Sequence, residues 1–394
     1  MLINYKVTNF CSFYNEAEFS LEAPKGKVKS RFPDNYANYE NECNVLKSAV
    51  IVGENAGGKS NFINSILFLK TLFLNNAPVK AVDGYINTTY SEKERKEVPQ
   101  SFVFEIVAAN EHIYKYELSI NQFRILEESL SVAESKKRNF VLKMHIYWNE
   151  EQREYAFDLP SETKEIQDAM KKNAGMFGLF VTRYSLLGNE DASMVTEWVT
   201  NKLSPTSFQM TATNDARSNQ KDIEILNDKR YLDIFRMVDY SICRISVDKE
   251  QPYAKTMIIR KRKDGSTIGR ELQLDSTGVR EFFAWAVHIF RVVYEEQTVF
   301  ADEMDRVLNP ILSDRVISFV NGKTHRGQFV FSTHNVLHLN LTTYMKEQIY
   351  FITKVHDDLS SELYSLSDFP EVRYDSTKIY EFYMKGILGG TAFE

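Results

Sequence analysis

Apolar residues recur along this chain with two periods, and the places where the period changes mark out its elements. Residues 1–10 read as a strand closed by the corner Phe10-Cys11-Ser12-Phe13, with a second short strand at 17–21 to pair with it. A polar loop covers 24–43. Residues 45–52 form a compact apolar run ending at a glycine, as a buried strand does. Beyond it Phe62, Ile66, Leu69 and Phe73 fall at helical spacing, which predicts a helix over 59–75 with one buried face. After a polar, charged stretch to about 100, Phe102, Phe104 and Ile106 alternate with polar neighbours. So do Tyr114, Tyr116, Leu118 and Ile120 beyond the Asn110-Glu111 turn, which predicts a hairpin.

From about 136 the pattern changes. Strands at 141–148 and 153–159 lead into helical periodicity at 162–172, 176–187, 193–202 and 223–238. Strand character returns after Ile242. Residues 257–263 and 270–274 flank Asp264-Gly265, a hairpin-turn dipeptide. A helix follows at 277–294, a short strand at 298–301, a helix at 311–320, a strand at 328–331, and a last helix near 376–384. Three regions result: 1–135, a mainly helical insertion at 136–250, and 251–394. The alternation of strand and helix around the insertion predicts an α/β fold.

Composition narrows the class without choosing it. With 43% apolar and 26% charged residues the chain can build a sizeable core. A net charge of −6 does not suggest a dedicated nucleic-acid binder, although Arg260-Lys261-Arg262-Lys263 is a local basic run. Three scattered cysteines and seven scattered histidines fit neither a disulfide framework nor a structural zinc site. No apolar run approaches the roughly 20 residues that a spanning helix needs. The expectation is a soluble cytoplasmic protein without a signal peptide.

Four segments carry candidate chemistry. Gly53-Glu54-Asn55-Ala56-Gly57-Gly58-Lys59-Ser60 fits G-x-x-x-x-G-K-[ST], with an apolar strand before it and an amphipathic helix after it. Glycines let backbone N–H groups turn inward on phosphates, and the helix N-terminus adds partial positive charge. Lys59 is expected to reach the β- and γ-phosphates of ATP, and Ser60 to bind Mg²⁺. Thr298-Val299-Phe300-Ala301-Asp302-Glu303 is a strand delivering two carboxylates at its end, Asp302 for Mg²⁺ and Glu303 as general base. Phe329-Val330-Phe331-Ser332-Thr333-His334 ends a further strand in an imidazole, one helix downstream as a βαβ step requires. Asp275-Ser276-Thr277-Gly278 opens a helix. Read alone it is an ordinary N-cap; beside the other three it reads as a second phosphate-contacting turn.

In this order the four segments resemble the ATP-binding-cassette (ABC) ATPases of the SMC, RecF and OLD type, and most nearly the stand-alone bacterial AAA-type members of the abortive-infection and RloA kind. The opening residues 1–13, Leu46-Lys47-Ser48-Ala49, Asp302-Glu303-Met304-Asp305 with Leu308-Asn309-Pro310, and residues 361–369 also look similar. The resemblance covers both ends of the chain and thins between about 135 and 235. It implies a P-loop NTPase head with a mixed core sheet, an antiparallel β-subdomain and the helical insertion between them.

The resemblance also implies a mechanism. Gly53, Asn55, Ala56, Gly57, Gly58, Lys59, Ser60 and Asn61 hold ATP, and Ser60 and Asp302 hold Mg²⁺. Lys59, Glu303 and His334 act in hydrolysis. Ser276 and Gly278 of a second copy reach the γ-phosphate, with Asp305 in the loop that crosses between the heads. The expected assembly is a homodimer or higher homo-oligomer that works as a sensor or regulatory clamp, controlling a partner nuclease or toxin effector in anti-phage defence. Two alternatives stay open: a DNA-repair ATPase that binds DNA directly, and a non-catalytic scaffold locked by ATP.

Overall fold

The alternation of the apolar runs is realised as two large sheets sharing one buried helix. The structure, a computed structural model of the 394-residue chain, describes all residues except 40–42, 83–95, 134–137, 173, 208–219, 305–308, 356, 375–378 and 390–394. Strands and helices are numbered in chain order. The first sheet is antiparallel and seven-stranded. It consists of β1 (Leu2–Thr8), β2 (Ala17–Ser20), β6 (Gln100–Val107), β7 (Ile113–Ile120), β8 (Ile125–Ala133), β9 (Val141–Asn149) and β10 (Glu154–Asp158), in the order β10-β9-β8-β7-β6-β1-β2. A two-stranded ribbon, β3 (Tyr36–Asn38) with β4 (Asn44–Leu46), lies outside it.

The second sheet is the core. It contains β5 (Ser48–Val52), β11 (Leu203–Ser207), β15 (Thr298–Asp302), β16 (Gln328–Thr333), β17 (Ile349–Lys354) and β18 (Ser361–Ser365), in the order β11-β15-β16-β5-β17-β18. Only β18 runs antiparallel to its neighbour, so the sheet is mixed. Successive side chains of a strand point to opposite faces, and here both faces are buried. Ala49, Ile51, Phe300, Val330 and Ile352 enter one apolar core, which they share with the first sheet. Val50, Val52, Val299, Ala301, Phe329, Phe331 and Phe351 enter the other. That is why these strands read as continuous apolar runs.

Helix α1 (Lys59–Leu74) lies between the two sheets, with Phe62 fully buried against Tyr5, Phe13 and Phe19. On the other face, α7 (Thr277–Tyr294) buries Phe282, Phe283, Ala286, Ile289, Phe290 and Val293, and α8 (Pro310–Gly322) packs beside it. Buried Lys47 fixes the end of α8 by donating to the carbonyls of Asn321 and Lys323, both at 2.9 Å, and burial lowers its pKa. Gln328 ties the sheets together. Its Oε1 accepts from Leu2 N and Thr298 Oγ1, and its Nε2 donates to the carbonyls of Leu2 and Leu46.

The segment 136–250 contributes to both sheets. β9 and β10 extend the first, and β11, an edge strand that tolerates Pro205, extends the core. Between them lie α2 (Lys164–Lys171), α3 (Phe180–Leu186) and α4 (Glu190–Glu197). The helix predicted over 223–238 is two, α5 (Gln220–Asn227) and α6 (Lys229–Phe235), because the Asp228 side chain caps the second by accepting from Arg230 N. Three further strands, β12 (Ile242–Ser246), β13 (Met257–Lys261) and β14 (Thr267–Glu271), form a small antiparallel sheet leading into α7. Helix α9 (Ile379–Met384) follows β18.

One buried acid joins β8 to the helical segment. Glu128 is fully buried and accepts from Val181 N at 2.7 Å and Phe180 N at 2.8 Å, the first turn of α3, and from Tyr116 Oη at 3.1 Å. Burial pushes its pKa up from 4.5 to about 7, against the pull of those three donors.

Candidate nucleotide site

The loop from Gly53 to Ser60 joins β5 to α1, and its glycines answer to a neighbouring strand. A Cβ on Gly53 would lie 2.2 Å from the Ile352 carbonyl oxygen of β17, and one on Gly57 would lie 3.0 Å from the same atom. Gly58 has φ +119°, and a Cβ there would meet Ser361 Oγ at 2.3 Å. Ala56 is also left-handed, at φ 62°. Gly58 is the N-cap of α1 and supplies no side-chain acceptor, so the helix opens onto the loop without a cap of its own. A 16-residue helix presenting its N-terminus through a glycine loop is a site for an anion.

Lys59 is buried with its ammonium group turned into this loop. Nζ donates to the carbonyls of Gly53 at 2.7 Å and Glu54 at 2.8 Å, and stands 3.1 Å from His334 Nδ1. The same Nδ1 stands 3.1 Å from the Gly53 carbonyl oxygen, so the imidazole, the ammonium and that carbonyl form one cluster.

The acid pair is oriented by the strand next door. Ser332 of β16 donates to Asp302 Oδ1 at 2.5 Å, and its oxygen accepts from Glu303 N at 2.9 Å. Glu303 has φ 54°, so the chain turns sharply at the strand end and separates the two carboxylates. Asp302 is buried, whereas Glu303 lines a cavity of about 160 Å³ together with His334, Glu54, Asn55, Ala56, Gly58, Lys59, Ser60 and Asn61. Residues from three separate stretches of sequence thus face one space.

A serine pair braces the other side of the loop. Ser361 Oγ donates to the Gly57 carbonyl at 2.6 Å and stands 2.8 Å from Ser12 Oγ, while Asn61 Nδ2 donates to Ser12 Oγ at 2.8 Å. Ser361 N also donates to the Ser12 carbonyl. Ser12, Ser332, Ile352 and Ser361 were not candidates from sequence. Ser12 and Ser361 lie in stretches that carry the family resemblance, but no spacing rule links either one to Gly57.

The Ser276 turn does not line this cavity. Ser276 is the N-cap of α7 and accepts from Val279 N at 3.4 Å; Ser276 and Gly278 are exposed, and a Cβ on Gly278 would meet nothing within 4 Å. Asp305 lies outside the described residues. Among the described residues no group of three or more His, Cys, Asp or Glu could hold a metal ion, and no helix is long and apolar enough to cross a membrane.

The phosphate-loop strand β5 and the acid-bearing strand β15 lie on either side of β16, which is followed directly by His334, and an antiparallel sheet stands beside this mixed core. The fold is α/β, with a mixed, mostly parallel core sheet beside an antiparallel one. Solved structures similar to this chain include the SMC head domain from Thermotoga maritima, at 13% identity and TM-score 0.43, covering 92% of this chain and 98% of that one. Another is an SMC head bound to the C-winged helix domain of ScpA, at 12% and 0.49, covering 92% and 97%. A third is an SMC head domain with an extended coiled coil bound to the C-terminal domain of ScpA derived from Pyrococcus furiosus, at 12% and 0.37, covering 92% and 96%. No protein-family model and no curated protein matches the chain. At these identities and scores the likeness carries no argument about this chain's activity.

Proposed function

We propose that this chain is an ATP-hydrolysing head that works as a dimer. The observation that carries the reading is the shared cavity: a G-x-x-x-x-G-K-S loop, an acid at the end of β15 and an imidazole at the end of β16 all face it. Lys59 would exchange its two loop carbonyls for phosphate oxygens. Ser60 and Asp302 would hold Mg²⁺, one carboxylate and one hydroxyl being the usual protein share when phosphates and water complete the shell. That ion would supply charge neutralisation on the phosphates. Glu303 would take the proton of the attacking water, and His334 would donate to the oxygens around the transferring phosphorus. Ser276 and Gly278, exposed and away from their own chain's cavity, would serve the cavity of a second copy, with Asp305 in the loop between heads.

The test is turnover and assembly together. Glu303→Gln is expected to lower steady-state hydrolysis by about 100-fold or more while ATP still drives monomers into dimers, read by light scattering. Lys59→Ala is expected to abolish both. Wild-type turnover in Glu303→Gln would refute the catalytic assignment.

The purpose we propose for the cycle is a sensor or regulatory clamp acting on a nuclease or toxin effector in anti-phage defence. It rests on the resemblance at residues 1–13, 46–49, 302–310 and 361–369. Co-purification with the product of the adjacent reading frame tests it. A second reading, direct DNA contact, draws on the exposed residues Lys261, Arg262 and Lys263 at the end of β13 and in the turn after it. It requires DNA affinity that falls steeply with salt and weakens when these three are replaced.

A further inference from the structure

The basic run at 260–263 does not act as one unit. Lys261, Arg262 and Lys263 are exposed, but Arg260 turns inward and its side chain is only 19% exposed. Its Nε donates to Asp239 Oδ2 at 2.7 Å, and its Nη2 pairs with Asp275 Oδ2 at 2.8 Å. Asp239 holds the turn after α6, where its other oxygen accepts from Ser241 N and Oγ. Asp275 immediately precedes Ser276, and its other oxygen accepts from Ser276 N at 3.0 Å. One guanidinium therefore spans from the end of α6, through β13, to the start of α7. The backbone follows the same path, since Leu272 N donates to Thr256 O and Gln273 N to Ala254 O.

We infer that Arg260 is a positioning residue for the Ser276 turn, holding Asp275 so that Ser276 and Gly278 are presented at a fixed angle to a second copy's nucleotide. The inference rests on the dimeric reading above. Asp275 is the more buried partner, its side chain 8% exposed. Without the guanidinium a carboxylate cannot stay there uncompensated. It turns toward water, its bond to Ser276 N turns with it, and the N-cap of α7 loses its setting. A group placed about 1 Å off transfers poorly even when binding is intact. The β12–β14 sheet thereby gains a rigid connection to chemistry in the partner's site.

The experiment compares full-length variants by ATP affinity, turnover at saturating ATP and thermal melting. Arg260→Gln is expected to lower turnover about tenfold with ATP affinity unchanged. Arg260→Lys is expected to fall between, because an ammonium cannot fork to both carboxylates. Asp239→Asn removes the other arm of the same guanidinium and is expected to leave turnover near wild type. Should Arg260→Gln fail to fold, Asp275→Ala removes both the partner of the guanidinium and the acceptor for Ser276 N, and is expected to show the same split. Wild-type turnover in Arg260→Gln, or in Asp275→Ala where that variant stands in, beside a dead Ser276→Arg would overturn this inference alone. Equal slowing by Asp239→Asn and Arg260→Gln would reduce the tie to general stability and overturn it too. Wild-type turnover in Ser276→Arg would instead remove the dimeric reading beneath it.

Discussion

Replacing Glu128 by Gln tests how the buried acid couples folding to pH. In the folded chain its pKa is raised by burial from 4.5 to about 7, so protons favour the folded state. The stabilisation is complete below about pH 4.5 and is lost as pH rises through 7. A shift of that size is worth about 3 kcal/mol in all, of which about 2 to 3 kcal/mol disappears between pH 5 and pH 8. Gln cannot titrate, so its contribution is flat. It has its own cost: both carboxylate oxygens accept from backbone N–H groups, and an amide nitrogen can replace only one oxygen. One N–H of the α3 first turn is then left without its acceptor, at about 1–3 kcal/mol. The variant should melt below wild type at pH 5, and the gap should close or reverse by pH 8. Melting curves of both proteins across that range, at constant ionic strength, are the assay. Parallel pH profiles would refute the argument, since they would mean Glu128 carries no proton-linked share of stability.

Two other substitutions probe the site. Gly53→Ala puts a methyl 2.2 Å from a main-chain oxygen that cannot rotate away, so β5 and β17 must part; a loss of about 1–3 kcal/mol in thermal stability is expected, with ATP binding abolished in a fluorescent-nucleotide titration. Ser332→Ala strips the hydroxyl shared by Asp302 Oδ1 and Glu303 N; single-turnover hydrolysis should slow far more than ATP affinity weakens, and equal effects on both would mean Ser332 does not orient the acids.

Much of the core was legible because strands buried on both faces write themselves as apolar runs. Residues 298–301 and 328–331 correspond to β15 and β16, while the single run 45–52 is divided at Lys47 between β4 and β5. The same runs located the loop, the acid pair and His334 at strand ends. β8 escaped notice because Glu127-Glu128 interrupts its apolar alternation, and only the structure shows that Glu128 is buried under donors from α3. β11 was hidden by Pro205, which an edge strand accepts. The single helix expected over 223–238 failed at Asp228, whose side chain starts a new helix instead of continuing the old one. Ser12, Ser332 and Ser361 were illegible for a different reason. A hydroxyl within a strand or corner carries no period, and its role depends on what the fold brings opposite.

The neighbours of the phosphate-loop strand have a consequence for how the protein is made. β5 is flanked by β16 and β17, and the brace on the loop joins Gly57 to Ser361 across 304 positions of chain. A growing polypeptide therefore releases the loop long before β16, β17 and Ser361, which complete its surroundings. Until β16 has left the ribosome β5 has two unpaired edges; until β17 follows, one edge stays unpaired, the loop lacks its backing carbonyl, and nucleotide has no formed cradle to stabilise. ATP can reward only a nearly finished chain, so the early-emerging apolar strand must be kept from other partners by other means for most of synthesis.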